Sequence, residues 1–498
     1  MQVLYAVSAL IGLFGYCLYL TLQRLVFSPI ARFPGPSLAA LTYWYEFYFD
    51  VIKRGQFYRE IERLHSIYGP IVRINPYELH VRDADWYNTL YAAGGRRRNK
   101  SEWFVGRTGG QSVFGTVDHD HHRLRRAALN PFFSRASVIS IETLIQERVD
   151  RLCEALREYA QSKAVVEMHT AFMSLTLDII STYAFGECYG LLDKPGFSPE
   201  WKHAVEAMTE SSITNRHLPW VADTLSKIPP HLAAKISEPV SFFLGVQGKI
   251  KTQVEATLSG KPGETRGKYR TIFQELRDSE LPASEKTVQR LMDEGLILLG
   301  AGADTTAHTL AVLWFHLLQN PVTLAKLTQE LQEAIPDPHN PPPWAKLEQL
   351  PYLRAVILEA HRVEAVITVR LIRIAPNEDL HFRDWTIPAG TEVSMSTHFI
   401  HLDPDIFPNP HKFDPERWLG PDKSKEKYVM PFSKGSRACV GIHLASAELL
   451  LTVACLFRRF KFELYDTTEK DVEITWDGFS GGFRPESNGV RIKVANAL

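Results

Sequence analysis

Residues 431–445 read PFSKGSRACVGIHLA, which places Cys439 between Gly435 and Gly441, with Phe432 and Arg437 upstream. A thiolate, not a thiol, binds metal or attacks carbon, so a working cysteine needs donors and positive potential beside it. The glycines permit a tight turn whose N–H groups aim at the sulfur. The apolar run after Cys439 predicts a helix whose N-terminal end favours an anion. Arg437 adds a fork of donors suited to a carboxylate. A structural cysteine requires none of this. A nucleophilic cysteine requires a histidine base; His443 is near in sequence but a helical turn away, and it reads as a packed or capping residue.

Three further groups of residues could do chemistry. Gly300, Gly302, Asp304, Thr305 and Thr306 stand together inside the apolar segment 284–320. Glycine costs stability in a helix interior, and a threonine hydroxyl can bond the carbonyl one turn earlier and distort the helix locally. By itself Asp-Thr-Thr is most often a polar helix face. Glu359 and Arg362 lie at i and i+3 on one helical face, an arrangement that is usually a surface pair of little worth. The stretch HDHHRLRRAALNPFF (119–133) is basic and suits docking an acidic protein. The run RRR at 96–98 reads as a solvated loop.

The spacing Phe432-x-x-Gly435-x-Arg437-x-Cys439-x-Gly441 resembles the haem-binding loop of the cytochrome P-450 family, the haem-thiolate monooxygenases. The resemblance implies that Cys439 is the axial ligand of haem iron and that its thiolate pushes electron density toward the metal. It implies that Arg437 contacts a haem propionate and that Phe432 packs near the ligand loop. AGADTT is similar to the family's oxygen-binding pattern, in which Asp304 and Thr305 relay protons. In the family an E-x-x-R helix pairs with an arginine of a later P-E-R-[FW] segment, here Pro415–Trp418. Glu359, Arg362 and Arg417 then form a buried structural cluster. His122 and Arg126 fall where the family contacts propionate from a helix, with His122 in place of the usual tryptophan, and Arg373 matches another such contact.

By the same resemblance the substrate lies among Phe104, Phe114, Ile297, Ala301, Val366, Ile367 and Phe479, with Trp103 and Phe483 nearby. That lining is apolar and fits a hydrophobic small molecule. Glu364 departs from the apolar residue usual at its position; it either anchors a polar group or faces solvent. The implied cofactor is haem. The implied electron source is NADPH through a separate NADPH–cytochrome P-450 reductase, with a cytochrome b-type donor as a further partner. This chain carries no flavin or nicotinamide fingerprint of its own. YWYEFYFDVIKRGQF, YGPIVRINPYELH and RLRRAALNPFFS look like fungal microsomal members similar to trichodiene oxygenase, which oxidise terpenoids and other secondary metabolites. Two other readings stand beside monooxygenation: oxidative coupling or rearrangement without oxygen insertion, and a non-catalytic haem sensor.

These residues need elements to position them. The 498-residue chain is 45% apolar, enough for a large core, and its net charge of −1 gives no sign of a nucleic-acid binder. Five cysteines without metal-type spacing argue against a disulfide framework. Residues 57–320 are mostly helical in pattern, including 141–160, 205–213 and a long central helix capped by Ser284. From 366 the pattern changes to short alternating runs, VITVRLIRI, DLHFRDWTI and TEVSMSTHFIH, and returns to helix after Cys439. Late strands among many helices predict a mainly α (α+β) protein with small β-sheets. The loops 260–268 and 335–344 lie on its surface. The span from Val3 to Leu22 has no charge and about 30 Å of helical length, enough to cross a bilayer. Basic residues follow it and none precedes it, so the N-terminus is expected in the lumen and the bulk in the cytosol. The expected organisation is a transmembrane anchor over 1–24, a proline-rich hinge over 25–40 and a catalytic domain over 41–498, single-pass at the endoplasmic reticulum.

Overall fold

The computed structural model describes residues 1–105, 109–225, 227–229, 232, 237–261, 263 and 269–497. Most of the expected loop at 260–268 lies outside the described residues. Helix α1 (Gln2–Leu25) has no buried residue, and its apolar window has a mean hydropathy of 2.0. The segment after it is tied down. The Arg73 amide donates to Pro34 O at 2.7 Å, the Arg73 guanidinium to Arg24 O at 2.9 Å, and Phe33 stacks on Trp385 at 4.8 Å.

The core is built by helices whose apolar spacing fits 3.6 residues per turn. Helix α2 (His119–Leu129) is basic and short. Helix α3 (Glu142–Ser162) buries Leu144, Ile145, Val149, Leu152 and Leu156, a single stripe. All of α4 (Met168–Ile180) is buried: it is mostly apolar, and polar members such as Thr176 and Asp178 are hydrogen-bonded to Ala303 O and to the Leu191 and Leu192 amides. Helices α5 (Pro199–His217) and α6 (Glu238–Leu258) cover the N-terminal half of α7 (Val288–Gln319). Helix α7 is long and apolar enough to cross a membrane, yet 61% of its apolar window is buried inside the protein. Its cap is Thr287, whose hydroxyl accepts from the Arg290 amide, and Ser284 lies in a separate short turn, 283–285. The sequence expectation for this start was therefore three residues early, because either hydroxyl satisfies the capping pattern. Helix α8 (Pro351–Val363) carries the E-x-x-R pair, and α9 (Ile442–Arg459) follows Cys439. Trp314 of α7 is clamped between Phe172 of α4 and Phe457 of α9, with ring centroids at 4.9 and 4.4 Å.

The sheets are small. Strands β1 (Ile71–Arg73) and β2 (Glu78–Val81) form an antiparallel pair. Strand β3 (Val165–Glu167) precedes α4. Strands β4 (Arg373–Ile374), β5 (Leu380–Phe382), β6 (Trp385–Ile387) and β7 (Glu392–Ser394) follow α8. Strands β8 (Phe460–Leu464), β9 (Trp476–Asp477), β10 (Gly481–Gly482) and β11 (Arg491–Ala497) close the chain. The largest sheet has the order β1-β2-β7-β4, with β2 parallel to β7. Its two early strands were missed in the sequence, since each is only three or four residues long. The late runs are shorter than their alternation suggested. Only Arg373–Ile374 of the first forms a strand, and Thr397–His401 of the third is a helical turn. Arg370 ties the sheet's inner end together by reaching Glu46 at 2.5 Å and Glu78 at 2.8 Å, all three buried.

Candidate active site: a cysteine loop and the central helix

The loop before α9 is held from outside. Gly435 has φ +76°, and a Cβ there would come within 2.3 Å of the Ala92 carbonyl oxygen, so no other residue fits. The Cys439 amide donates to Phe432 O at 2.9 Å. The Phe432 ring is packed edge-on by His361 at 5.3 Å. Cys439 is accessible although protein surrounds it. Burial raises its thiol pKa, while the Gly441 N–H and the Arg126 charge pull it down. A bound cation would complete that stabilisation and leave a thiolate. His443 is the second residue of α9, and its ring lies 6.4 Å from that of Trp344. Among the described residues no hydrogen bond joins it to the thiol.

The central helix presents a stripe at i, i+4 and i+8. Ile297 and Thr305 are half-buried and Ala301 is exposed, although the turns that follow are buried. An accessible alanine in the middle of a core helix marks an internal face. The Thr305 hydroxyl donates to Ala301 O at 2.9 Å, and Thr309 donates to Thr305 O at 3.0 Å. These back-bonds load the carbonyls of one turn. Gly302 has a packing reason, since a Cβ there would sit 3.2 Å from Ile180 of α4. Asp304 turns to α4, where its Oδ1 lies 2.9 Å from His169 Nε2. Thr306 hydrogen-bonds Glu448 of α9, a buried acid whose pKa burial raises far above the usual carboxylate range. That bond links the central helix to the helix that begins at the cysteine loop.

Positive charge gathers around His122. Burial, then Arg437, Lys100, Arg126 and Arg373, push its pKa down to about 2, and its Nδ1 is buried without a partner. Arg437 donates to the carbonyls of Thr116, Val117 (2.7 Å) and Asp118 (3.1 Å), while its Nε has no partner. Burial and Arg373 bring its pKa to about 9. Arg373 is buried over the Tyr91 ring at 5.2 Å, and burial lowers its pKa. Lys100 is buried with its ammonium 3.8 Å from the centre of the Phe114 ring, and burial holds its pKa well below the usual lysine range. Arg126 instead binds the cysteine loop, donating to Ala438 O at 2.9 Å and Cys439 O at 3.3 Å. Among the described residues no carboxylate forms an ion pair with Lys100, Arg126, Arg373 or Arg437. Buried uncompensated charge costs several kcal/mol. The cluster therefore fits a group that carries its own negative charges, such as the two propionates of haem, and the adjacent thiol fits its iron.

The E-x-x-R pair is fully buried. Arg362 grips Glu359 with both arms at 2.7 and 2.9 Å. Its remaining N–H groups donate to the carbonyls of His401, Pro410 and Lys412. Glu359 also accepts from the Asp414 amide at 2.9 Å, Arg417 at 3.0 Å and the Trp418 indole at 2.9 Å. Every oxygen lone pair is used, which makes the buried charge tolerable.

Phe104 packs in one apolar cluster with Val105, Val369 and Ile372, bordered by Trp103, Ile367 and Phe479. The cluster closes because 366–369 pairs with 479–481: Gly481 N donates to Val366 O at 2.9 Å, and Ile367 bridges Ser480. Phe114 meets Phe479 edge-on at 5.6 Å. Phe479 itself has φ +124°, a strained geometry worth about 1–3 kcal/mol, of the kind found at ligand sites. Phe483 faces elsewhere and stacks on His308 at 4.6 Å. Glu364 does not face solvent; it is buried, and burial raises its pKa. Arg98 is likewise no solvated loop residue. It is 1% exposed and donates to Leu90 O, Thr89 O and Glu378. The sequence reading also missed Lys100, His169 and Glu448. Lys100 follows the basic run and looks solvated, and nothing in MHTAF marks His169. Glu448 did carry a signal, as the lone charge inside the apolar run HLASAELLLTVACL.

A family model described as cytochrome P450 matches residues 34–489. The chain is 43% identical to tryptophan 6-hydroxylase fscE of Fusarium equiseti, over 96% of this chain and 94% of that protein. It is 40% identical to conidiogenone synthase PchP450 of Penicillium rubens, over 97% and 98%. It is 39% identical to cytochrome P450 monooxygenase TRI4 of Fusarium sporotrichioides, over 99% and 96%.

Proposed function

The chain belongs to the cytochrome P450 family and is an oxidoreductase of the monooxygenase type. From that premise we propose that it transfers one oxygen atom of O2 to a hydrophobic secondary metabolite, a terpenoid or an indole-derived compound, by hydroxylation or epoxidation. The relatives named for conidiogenone and for tryptophan support these two substrate classes. The observation that carries the reading is the accessible Cys439 beside a buried cation cluster that no carboxylate among the described residues pairs with.

Haem, when bound, supplies the iron at which dioxygen is reduced and split. Cys439 would hold that iron, and Gly435 and Gly441 shape the loop around the sulfur. Lys100, His122, Arg373 and Arg437 would take the propionates, while Arg126 fixes the loop carbonyls. Thr305 and Asp304 would relay the protons that oxygen reduction consumes. Ile297, Ala301, Val366, Ile367, Phe104, Phe114 and Phe479 exclude water and orient an apolar substrate. Electrons come from NADPH through a separate reductase, or a cytochrome b-type donor, on the cytosolic face of the endoplasmic reticulum to which α1 anchors the chain. Retention of the Asp304–Thr305 pair favours oxygen transfer over rearrangement, which does not consume protons.

The test is expression of the full chain in reductase-containing microsomes, with sesquiterpenes, diterpenes, polyketides, tryptophan and N-acetyltryptophan as probes. Mass spectrometry under isotopically labelled O2 should find an NADPH-dependent product carrying one labelled atom. Haem binding without oxygen uptake on any probe would support the sensor reading instead.

A further inference from the structure

On the side of α7 that faces α4, a group of ionisable side chains is buried that oxygen transfer as described does not use. His169, at the second position of α4, places Nε2 2.9 Å from Asp304 Oδ1. The two side chains are 6% and 15% exposed. One turn along α7, His308 meets the His169 ring edge-on at 5.7 Å and stacks on Phe483. Glu364, at the end of α8, has Oε1 3.9 Å from His308 Nε2. His169 Nδ1, His308 Nε2 and Glu364 Oε1 are all buried without a hydrogen-bond partner. From α5, Lys202 reaches Glu167 at 3.2 Å, and Glu167 caps α4 through the amides of His169 and Thr170. The charged and titratable groups around His169 are therefore Asp304 and His308 on α7, Lys202 on α5, Glu167 at its own helix start and, beyond His308, Glu364.

We propose that His169 is a positioning residue for Asp304: its Nε2–H holds the carboxylate ionised and turned toward α4, so that the ionisation of this pair sets the lower pH limit of turnover. The proposal rests on the reading of Asp304 as a proton-handling group. The geometry supports it. A carboxylate this buried loses hydration and rises in pKa unless a donor compensates. Burial does act on Asp304 in that direction, and His169 first, then His308 and Lys202, bring it to a net depression. The pair can pass one proton from Nε2 to Oδ1, which leaves a neutral imidazole and a carboxylic acid. It reforms when Asp304 gives that proton up toward Thr305 and the imidazole regains one from solvent.

The test uses the full-length holoenzyme in nanodiscs. Infrared difference spectra, parent against Asp304→Asn, isolate the carboxyl band of Asp304 and its titration. In His169→Gln, which keeps an N–H donor without the charge, that titration should move up by about one to three pH units, the usual effect of removing an adjacent opposite charge. His169→Phe should move it at least as far. The lower limb of the pH profile for peroxide release during NADPH oxidation should follow the same shift. If the Asp304 band titrates at the same pH in parent and His169→Gln, the inference is overturned. If Asp304→Asn leaves oxygen use unaltered while the band still shifts, the reading of Asp304 fails instead and the pairing stands.

Discussion

The buried Glu359–Arg362 pair invites a double-mutant cycle. Arg362→Met removes two N–H donors from Glu359 and leaves the carbonyls of His401, Pro410 and Lys412 without those donors. Glu359 keeps Arg417, Trp418 and the Asp414 amide, so its charge is not stranded entirely. Breaking one member of a buried pair costs about 3–5 kcal/mol. Glu359→Gln should cost a similar amount, because an amide cannot accept all five of the bonds that converge there. Out of a domain stability of about 5–15 kcal/mol, either loss is large. The double variant should cost clearly less than the sum of the singles, since the second substitution removes a group already without its partner. A coupling of about 2–3 kcal/mol is expected. Urea unfolding of the holoprotein, followed by haem absorbance and tryptophan fluorescence, measures all three. Single costs below about 1 kcal/mol, or strict additivity, would refute the view that this pair holds the fold.

Cys439→Ser should abolish the thiolate-type carbonyl spectrum and NADPH-driven turnover while circular dichroism stays unchanged; a retained spectrum contradicts the assignment of the ligand. Lys100→Met should speed haem loss to apomyoglobin about tenfold, one such contact being worth about 1.4 kcal/mol in a charge-assisted bond; an unaltered rate would mean that Lys100 does not meet a propionate. Acid should destabilise the protein well above the carboxylate range. Burial lowers His65, His316 and His398 to about 4 and His401 to about 3. Between those values and the unfolded 6.5 the unfolded chain binds more protons, so stability is full above 6.5 and falls as pH drops toward 4. Each proton taken up contributes about 1.4 kcal/mol per pH unit to that slope. A urea midpoint that stays flat from pH 7 to 4.5 would contradict it.

Much of the site could be read in the chain because its parts are local. Phe432, Gly435, Arg437, Cys439 and Gly441 lie within ten residues, and their spacing already dictates a tight loop leading into a helix. The E-x-x-R pair and the Asp304–Thr305 pair each lie within a helical turn. The amphipathic stripe of α3 and the unbroken apolar run of α1 follow from periodicity alone. The pairing of β2 with β7 was not legible in the same way: the Ser394 hydroxyl reaches Glu78 from 316 positions away, and strands of three or four residues carry too little alternation to announce themselves.

The sequence by itself therefore determined the cysteine loop, the helical class and the order of the motifs, because these depend on backbone geometry over a few residues. Only the tertiary structure decided which charges are buried and beside what. It turned Lys100 inward, sank Arg98, closed Glu364 off from water, set Arg126 on the loop carbonyls and brought His169 to Asp304 across 135 positions. Hydration and Coulomb energies depend on distance through space, and distance along the chain does not fix it.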